Sequence, residues 1–185
     1  MAFNVLSHHS DEVLEQGSLP FADYVLAIAQ GKMDTISFPA VTDIAGNRLF
    51  VLTADTLIRT THTNHMLGKP QDKDDAKTML RLMRAEPIEV VTGCCLRRYD
   101  RAGNDWQLFE QITWTSQAVA HFQVPEEDLE AYFAAMPFVV NCAGAGALED
   151  FGASFLKTIN GSYSGTLGLP LYELRQALRE LSFRF

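Results

Sequence analysis

Leu49-Phe50-Val51-Leu52-Thr53-Ala54-Asp55-Thr56 is the stretch on which the reading of the fold turns. Its four leading apolar residues are a run too short for a helix, and they read as an interior strand. The strand is expected to run out near Thr53, leaving Asp55 at its carboxyl end. In open α/β sheets, ligands bind beyond the carboxyl ends of strands, where a carboxylate can hold a divalent cation or orient a water. A turn or capping Asp is the competing reading, and position alone leaves both open.

Outward from this run, helices and strands alternate. On the N-terminal side, Ser18 can cap and Pro20 can open a helix carrying Phe21, Tyr24, Val25, Ile28 and Ala29, ending near Gly31. On the C-terminal side, Asp72 can cap a helix with Ala76, Met79, Leu80 and Met83 at helical spacing. Pro125 opens a third, with Leu129, Tyr132, Phe133 and Met136 on one face, stopped by Pro137. A last one follows Gly168-Leu169-Pro170 and carries Leu171, Leu174, Leu178 and Leu181. Glu89-Val90-Val91-Thr92, the span from Gln107 to Phe122, and Phe138-Val139-Val140 read as further strands. The pattern predicts an α/β fold with a mixed sheet flanked by helices.

The chain has 185 residues, 47% hydrophobic and 21% charged, with 15 Lys and Arg against 23 Asp and Glu and a net charge of −8. That length and composition suit one folded domain over 1–185 and exclude a disordered chain. Net acidity disfavours nucleic acid as a partner, while a local basic pocket can still hold a small anion. Three Cys without CxxC or Cys/His spacing fit a reducing compartment and no structural zinc. The start lacks the features of a signal peptide, and no stretch approaches 18 apolar residues, so a cytoplasmic protein with no membrane span is expected.

Several residues could carry chemistry. Gly68-Lys69-Pro70 places a point charge suited to phosphate in a fixed turn before a helix start, although the Walker A spacing is absent. A solvated turn lysine is the plainer reading. Lys32 closes the first helix, where a cation complements the helix end. Glu12 lies in the polar stretch Ser7-His8-His9-Ser10-Asp11-Glu12, whose adjacent His residues diverge on helix or strand. His62 and His65 fall in a Thr/Asn-rich segment, Arg59 to Met66, that reads as an exposed loop. Cys94, Cys95 and Cys142 sit among apolar neighbours, where a free Cys behaves as a small hydrophobe. A thiol hydrolase is therefore the least favoured class. Cys142-Ala143-Gly144-Ala145-Gly146-Ala147-Leu148-Glu149 is built of small residues that would let the backbone approach a flat ligand, and Glu149 is its one acid.

Taken in order, Leu52-Thr53-Ala54-Asp55-Thr56, Leu67-Gly68-Lys69-Pro70, Asp75-Ala76 with Met79-Leu80, and Val90-Val91-Thr92-Gly93 resemble the Maf family of nucleotide pyrophosphatases. Cys142-Ala143-Gly144, Glu149, Gly161-Ser162-Tyr163-Ser164 and Gly168-Leu169-Pro170-Leu171 continue the resemblance over nearly the whole chain. It implies a Maf/Ham1-like mixed twisted sheet with a central cleft, often in a homodimer. The implied activity is metal-dependent hydrolysis of a nucleoside triphosphate to the monophosphate and pyrophosphate, with Mg²⁺ or Mn²⁺ as cofactor. By matching position, Asp55 is the implied general base or metal-orienting acid. Glu12 is the second acid, and Lys32, Lys69 and Thr56 contact the substrate. Glu149 stands where relatives acting on dTTP or UTP tend to have Gln and a subgroup acting on 7-methyl-GTP tends to have Glu. A carboxylate only accepts hydrogen bonds and guanine offers two adjacent donors, so a guanine-type base is expected, with dTTP or UTP as the alternative.

The chain departs from the family pattern at its start. Met1-Ala2-Phe3-Asn4-Val5-Leu6 resembles the family's second strand, so the strand and the SxSxRR loop before it are expected to be missing. A late start codon or a degenerate relative that binds nucleotide without turnover would each explain this. Ile88 stands at a family His, and the segment Arg59 to Met66 is longer than usual.

Overall fold

The computed structural model describes residues 3–9, 16–40, 42, 44 and 46–184. Among the described residues, five α-helices and five strands carry the fold: α1 Phe21–Asp34, β1 Arg48–Thr60, β2 Met66–Leu67, α2 Lys73–Ala85, β3 Ile88–Ala102, β4 Asp105–Phe122, α3 Leu129–Ala135, β5 Leu156–Gly161, α4 Tyr163–Thr166 and α5 Leu171–Glu180. The strands form one sheet in the order β2-β1-β3-β4-β5. β1 pairs antiparallel with β2, Ile58 opposite Leu67, and β4 pairs antiparallel with β5, Ala120 opposite Ile159. β3 and β4 are joined through Gly103 and Asn104, and a connection that short makes neighbouring strands antiparallel. The chain is α/β, a sheet with flanking helices, as the alternation of periods predicts.

The described residues gather into two compact units. The first takes its residues from 1–55, 93–115 and 171–185, the second from 56–92 and 116–170. β1, β3 and β4 each give one part to one unit and the rest to the other. In the first unit Met33, Val51, Cys95 and Tyr99 are buried together, with Leu49 and Trp106 packed against them. In the second, Leu80 and Met83 of α2, Phe122 of β4 and Tyr132 of α3 are buried in the larger core.

Several elements differ from expectation for identifiable reasons. β1 does not stop at Thr53; it continues to Thr60, because Thr56, Leu57 and Ile58 prolong a β-favouring composition. Asp55 therefore lies inside a strand rather than past its end. Arg59 and Met66 are not loop residues but opposite one another in the β1–β2 pair. The turn between them is held by Glu86, whose carboxylate accepts from His62 N at 2.6 Å, Thr63 N at 3.1 Å and Thr63 Oγ1 at 2.5 Å. Phe138-Val139-Val140 is a 3₁₀ turn, Pro137–Asn141, not a strand; Pro137 at its first position pre-sets the helical φ. α1 runs through Gly31 to Asp34, and Pro20 rather than Ser18 occupies its N-cap without a side-chain hydrogen bond. Asp72 does cap α2, accepting from Asp74 N at 2.9 Å and Asp75 N at 2.8 Å.

Candidate active site

β1 and α1 build the centre of the site within the first unit. Alternate residues of a strand share a face, and Thr53 and Asp55 both turn toward α1. Thr53 Oγ1 donates to Ala29 O at 2.7 Å, and Lys32 Nζ donates to Asp55 Oδ1 at 2.7 Å. Both charged side chains are only 13% exposed. Lys32 lies in the last turn of α1, yet its ammonium is spent on the strand acid rather than on the helix end alone. Asp55 Oδ2 has no partner among the described residues, so one oxygen of a mostly buried carboxylate is available to a cation or a water.

Thr56 points the other way. Its Oγ1 lies 2.8 Å from Thr92 Oγ1, and Thr92, fully buried, donates its hydroxyl proton to Gly165 O at 2.7 Å. With Thr92's single proton committed, the proton between the two hydroxyls comes from Thr56. Thr56 thus anchors β1 to β3. Asp55 and Thr56 are neighbours within a strand, where successive side chains diverge.

Lys69, Cys142 and Glu149 come together in the second unit. Gly144 N donates to Gly68 O at 2.8 Å, tying the small-residue segment to the Gly68-Lys69-Pro70 turn. Gly144 and Ala145 are left-handed, at φ 66° and 53°, a conformation glycine adopts freely. The small residues pack closely: a Cβ on Gly144 would meet Met83 Sδ at 3.2 Å and Leu67 Cβ at 3.5 Å. Tyr132, read from sequence only as one apolar position of α3, clamps the same segment. Its hydroxyl donates to Ala145 O at 2.9 Å and accepts from Ala147 N at 3.0 Å. Lys69 is exposed and Glu149 half-buried, and neither side chain forms an ion pair among the described residues.

The thiols are poor nucleophiles. Burial pushes Cys94 up to about 12 and Cys95 up to about 11. Burial also raises Cys142, with the Glu149 carboxylate adding to the rise and Lys69 opposing it. Glu12 lies outside the described residues. His8 and His9 are exposed, and His62 is 75% exposed with its ring 3.8 Å from Glu86. No group of three or more His, Cys, Asp or Glu able to hold a metal occurs among the described residues. No helix among them is long and apolar enough to cross a membrane.

The Maf-like protein family model matches residues 1–181. The chain belongs to the Maf family. It is 33% identical over 181 residues to the dTTP/UTP pyrophosphatase of Geotalea uraniireducens, covering 97% of this chain and 84% of that one. It is 30% identical over 183 residues to the dTTP/UTP pyrophosphatase of Ruminiclostridium cellulolyticum, covering 92% and 90%. The dTTP/UTP pyrophosphatase of Pseudoalteromonas atlantica is 33% identical over 184 residues, with 97% and 86% covered. Membership in the family agrees with the resemblance read from the ordered short motifs.

Proposed function

We propose that this Maf-like protein is a nucleoside triphosphate pyrophosphatase, cleaving between the α- and β-phosphates to give a monophosphate and pyrophosphate. The observation that carries the reading is the Lys32–Asp55 pair, 2.7 Å apart and mostly buried, in a chain whose relatives are named pyrophosphatases. Phosphoanhydride hydrolysis needs neutralised charge and a positioned water more than covalent chemistry. In this reading Asp55 accepts a proton from the attacking water or orients it, and Lys32 neutralises phosphate charge beside it. Lys69, exposed on its turn, takes a further phosphate charge. Glu12 would act as the second acid.

A divalent cation fits the donor set in a limited way. Mg²⁺ is usually held by one or two carboxylates together with substrate phosphates rather than by an all-protein cage. Asp55 supplies one such carboxylate, and the triphosphate would supply the rest. Bound Mg²⁺ or Mn²⁺ would contribute charge neutralisation on the phosphate oxygens.

For the base, the relatives' names favour dTTP or UTP. A guanine-type base, 7-methylguanine included, is the second reading, favoured by the carboxylate at Glu149. Thymine and uracil present one N–H donor between two carbonyl acceptors, and a carboxylate can satisfy only the donor; guanine presents two adjacent donors. Exchange Glu149→Gln should shift relative kcat/KM from 7-methyl-GTP toward UTP by about tenfold, the order of one hydrogen bond to a charged group. An unchanged ratio removes Glu149 as the reader of the base.

Product analysis tests the activity itself. With dTTP, UTP, GTP and 7-methyl-GTP, each with Mg²⁺, Mn²⁺ or a chelator, the expected products are monophosphate and pyrophosphate in the metal-supplemented samples. Release of orthophosphate and diphosphate, or nucleotide binding without any turnover, contradicts the proposal.

A further inference from the structure

We propose that Gly93 and Thr53 are positioning residues, which together seat α1 against β1 and β3 at the one depth and register that brings the Lys32 ammonium onto Asp55. The inference rests on the pyrophosphatase reading for its catalytic consequence, though not for its structural one.

A Cβ placed on Gly93 would lie 2.7 Å from Leu26 Cα, 2.8 Å from Leu26 N and 2.8 Å from Val25 O. All three are backbone atoms of α1, so no rotamer change relieves the overlap. The helix backbone therefore rests directly on the strand backbone, an approach only glycine allows. Val25, Ala29 and Lys32 follow at four- and three-residue steps, which places them along one face of the helix. Val25 and Ala29 are both fully buried on that face. Lys32 lies six residues beyond Leu26, about 9 Å farther along the axis at the usual helical rise.

A second contact fixes the helix between those points. Thr53 Oγ1 donates to Ala29 O at 2.7 Å, and Thr53 is 9% exposed. Ala29 O lies in the helix interior, so the hydroxyl uses a carbonyl's second lone pair. A bond across the helix–strand interface at this position sets rotation and register, while Gly93 sets depth. Thr53 and Asp55 are alternate residues on the same face of β1, so whatever moves α1 relative to Thr53 moves Lys32 relative to Asp55. The two charged side chains have few other ways to meet: Lys32 comes from the helix and Asp55 from the strand, 23 residues away.

The experiment uses the full chain and four substitutions, Thr53→Val, Thr53→Ser, Gly93→Ala and Lys32→Met, with Asp55→Asn as a reference. Valine keeps the shape of threonine and removes the hydroxyl; serine keeps the hydroxyl. The first readout is the Lys32 ε-methylene resonance, assigned by its loss in Lys32→Met. The second is the dissociation constant of α,β-methylene UTP with Mg²⁺. Thr53→Val is expected to move the Lys32 resonance toward its position in Asp55→Asn. It is expected to weaken analogue binding by about tenfold, since misplacements near an ångström are worth one to two decades. In the Lys32→Met background the same change should cost less than twofold, because coupled residues are non-additive. Thr53→Ser should restore the resonance and the affinity, and Gly93→Ala should behave as Thr53→Val does. A Lys32 resonance that ignores Thr53→Val, or equal losses of affinity with and without Lys32, overturns the proposal. Should Gly93→Ala fail to fold, the Thr53 variants decide. A parent chain that binds no triphosphate sinks the pyrophosphatase reading instead, and the resonance still upholds or overturns the docking.

Discussion

Lys32 and Asp55 hold each other in a place that water barely reaches, each 13% exposed. Removing Lys32 takes from Asp55 its ion-pair partner, so Lys32→Met should lower stability by about 1–3 kcal/mol, the usual penalty for leaving a buried polar group unsatisfied; denaturant unfolding at neutral pH checks this. Tyr132→Phe makes a comparable case. Its hydroxyl serves both Ala145 O and Ala147 N, and a buried carbonyl and N–H would lose their partner together. A loss of about 1–3 kcal/mol is expected from the same denaturant measurement. At this scale the sequence was partly legible. An acid abutting an apolar run marks Asp55, because such a run must be interior. Nothing in the local sequence marks Tyr132, since one apolar stripe position of a helix looks like any other, and its partners lie 13 and 15 residues away. Thr56 shows a related limit: adjacency in sequence brings two groups together in a loop, but separates them in a strand.

Among the elements, α2 is linked by charge to α3 and to the 3₁₀ turn Glu126–Asp128 that precedes it. Glu130 meets Lys73 at 2.6 Å and Lys77 at 2.8 Å, and those two hydrogen bonds pull its carboxyl from its ordinary 4.5 to about 2. Glu126 meets Arg81 at 2.5 Å and Arg84 at 3.2 Å, and the Arg81 hydrogen bonds lower its carboxyl as well. A carboxyl lowered in the folded state stabilises above its unfolded value, and the contribution is lost as pH falls through the folded value. The link should therefore weaken between about pH 4.5 and about pH 2. Melting temperatures of the parent and Glu130→Gln should converge across that window; a constant difference would contradict the assignment. The helices themselves were readable from periodicity and from the Asp72 cap. Strand lengths were not. Thr53 and Asp55 interrupt the apolar run of β1, yet the Thr53 hydroxyl and one Asp55 oxygen find partners on α1, which lets the strand continue. Phe138-Val139-Val140 offered too few residues for a period to show, and Pro137 decided the outcome.

Over the whole molecule, two cores are strung on strands that each run through both units. Sequence predicted the alternation of elements but not this division, because a long strand serving two cores has no composition boundary. The net charge of −8 means that affinity for a polyphosphate has to be local. A triphosphate analogue with Mg²⁺ at about 100 times its dissociation constant adds about 2.7 kcal/mol to stability. For a chain of this size that corresponds to a rise in melting temperature of roughly 5–10 °C. Lys69→Ala, at an exposed position, should leave the unliganded melting temperature in place while shrinking that rise; differential scanning fluorimetry reads both.

The pyrophosphatase reading requires Asp55 to handle the reacting water or its cation. Pyrophosphate release from UTP and dTTP, compared between the parent and Asp55→Asn under identical conditions, tests it most directly. A loss of roughly 100-fold or more is expected, the ordinary worth of a general base, in a variant that still melts cooperatively. An Asp55→Asn protein releasing pyrophosphate within a few-fold of the parent would contradict it.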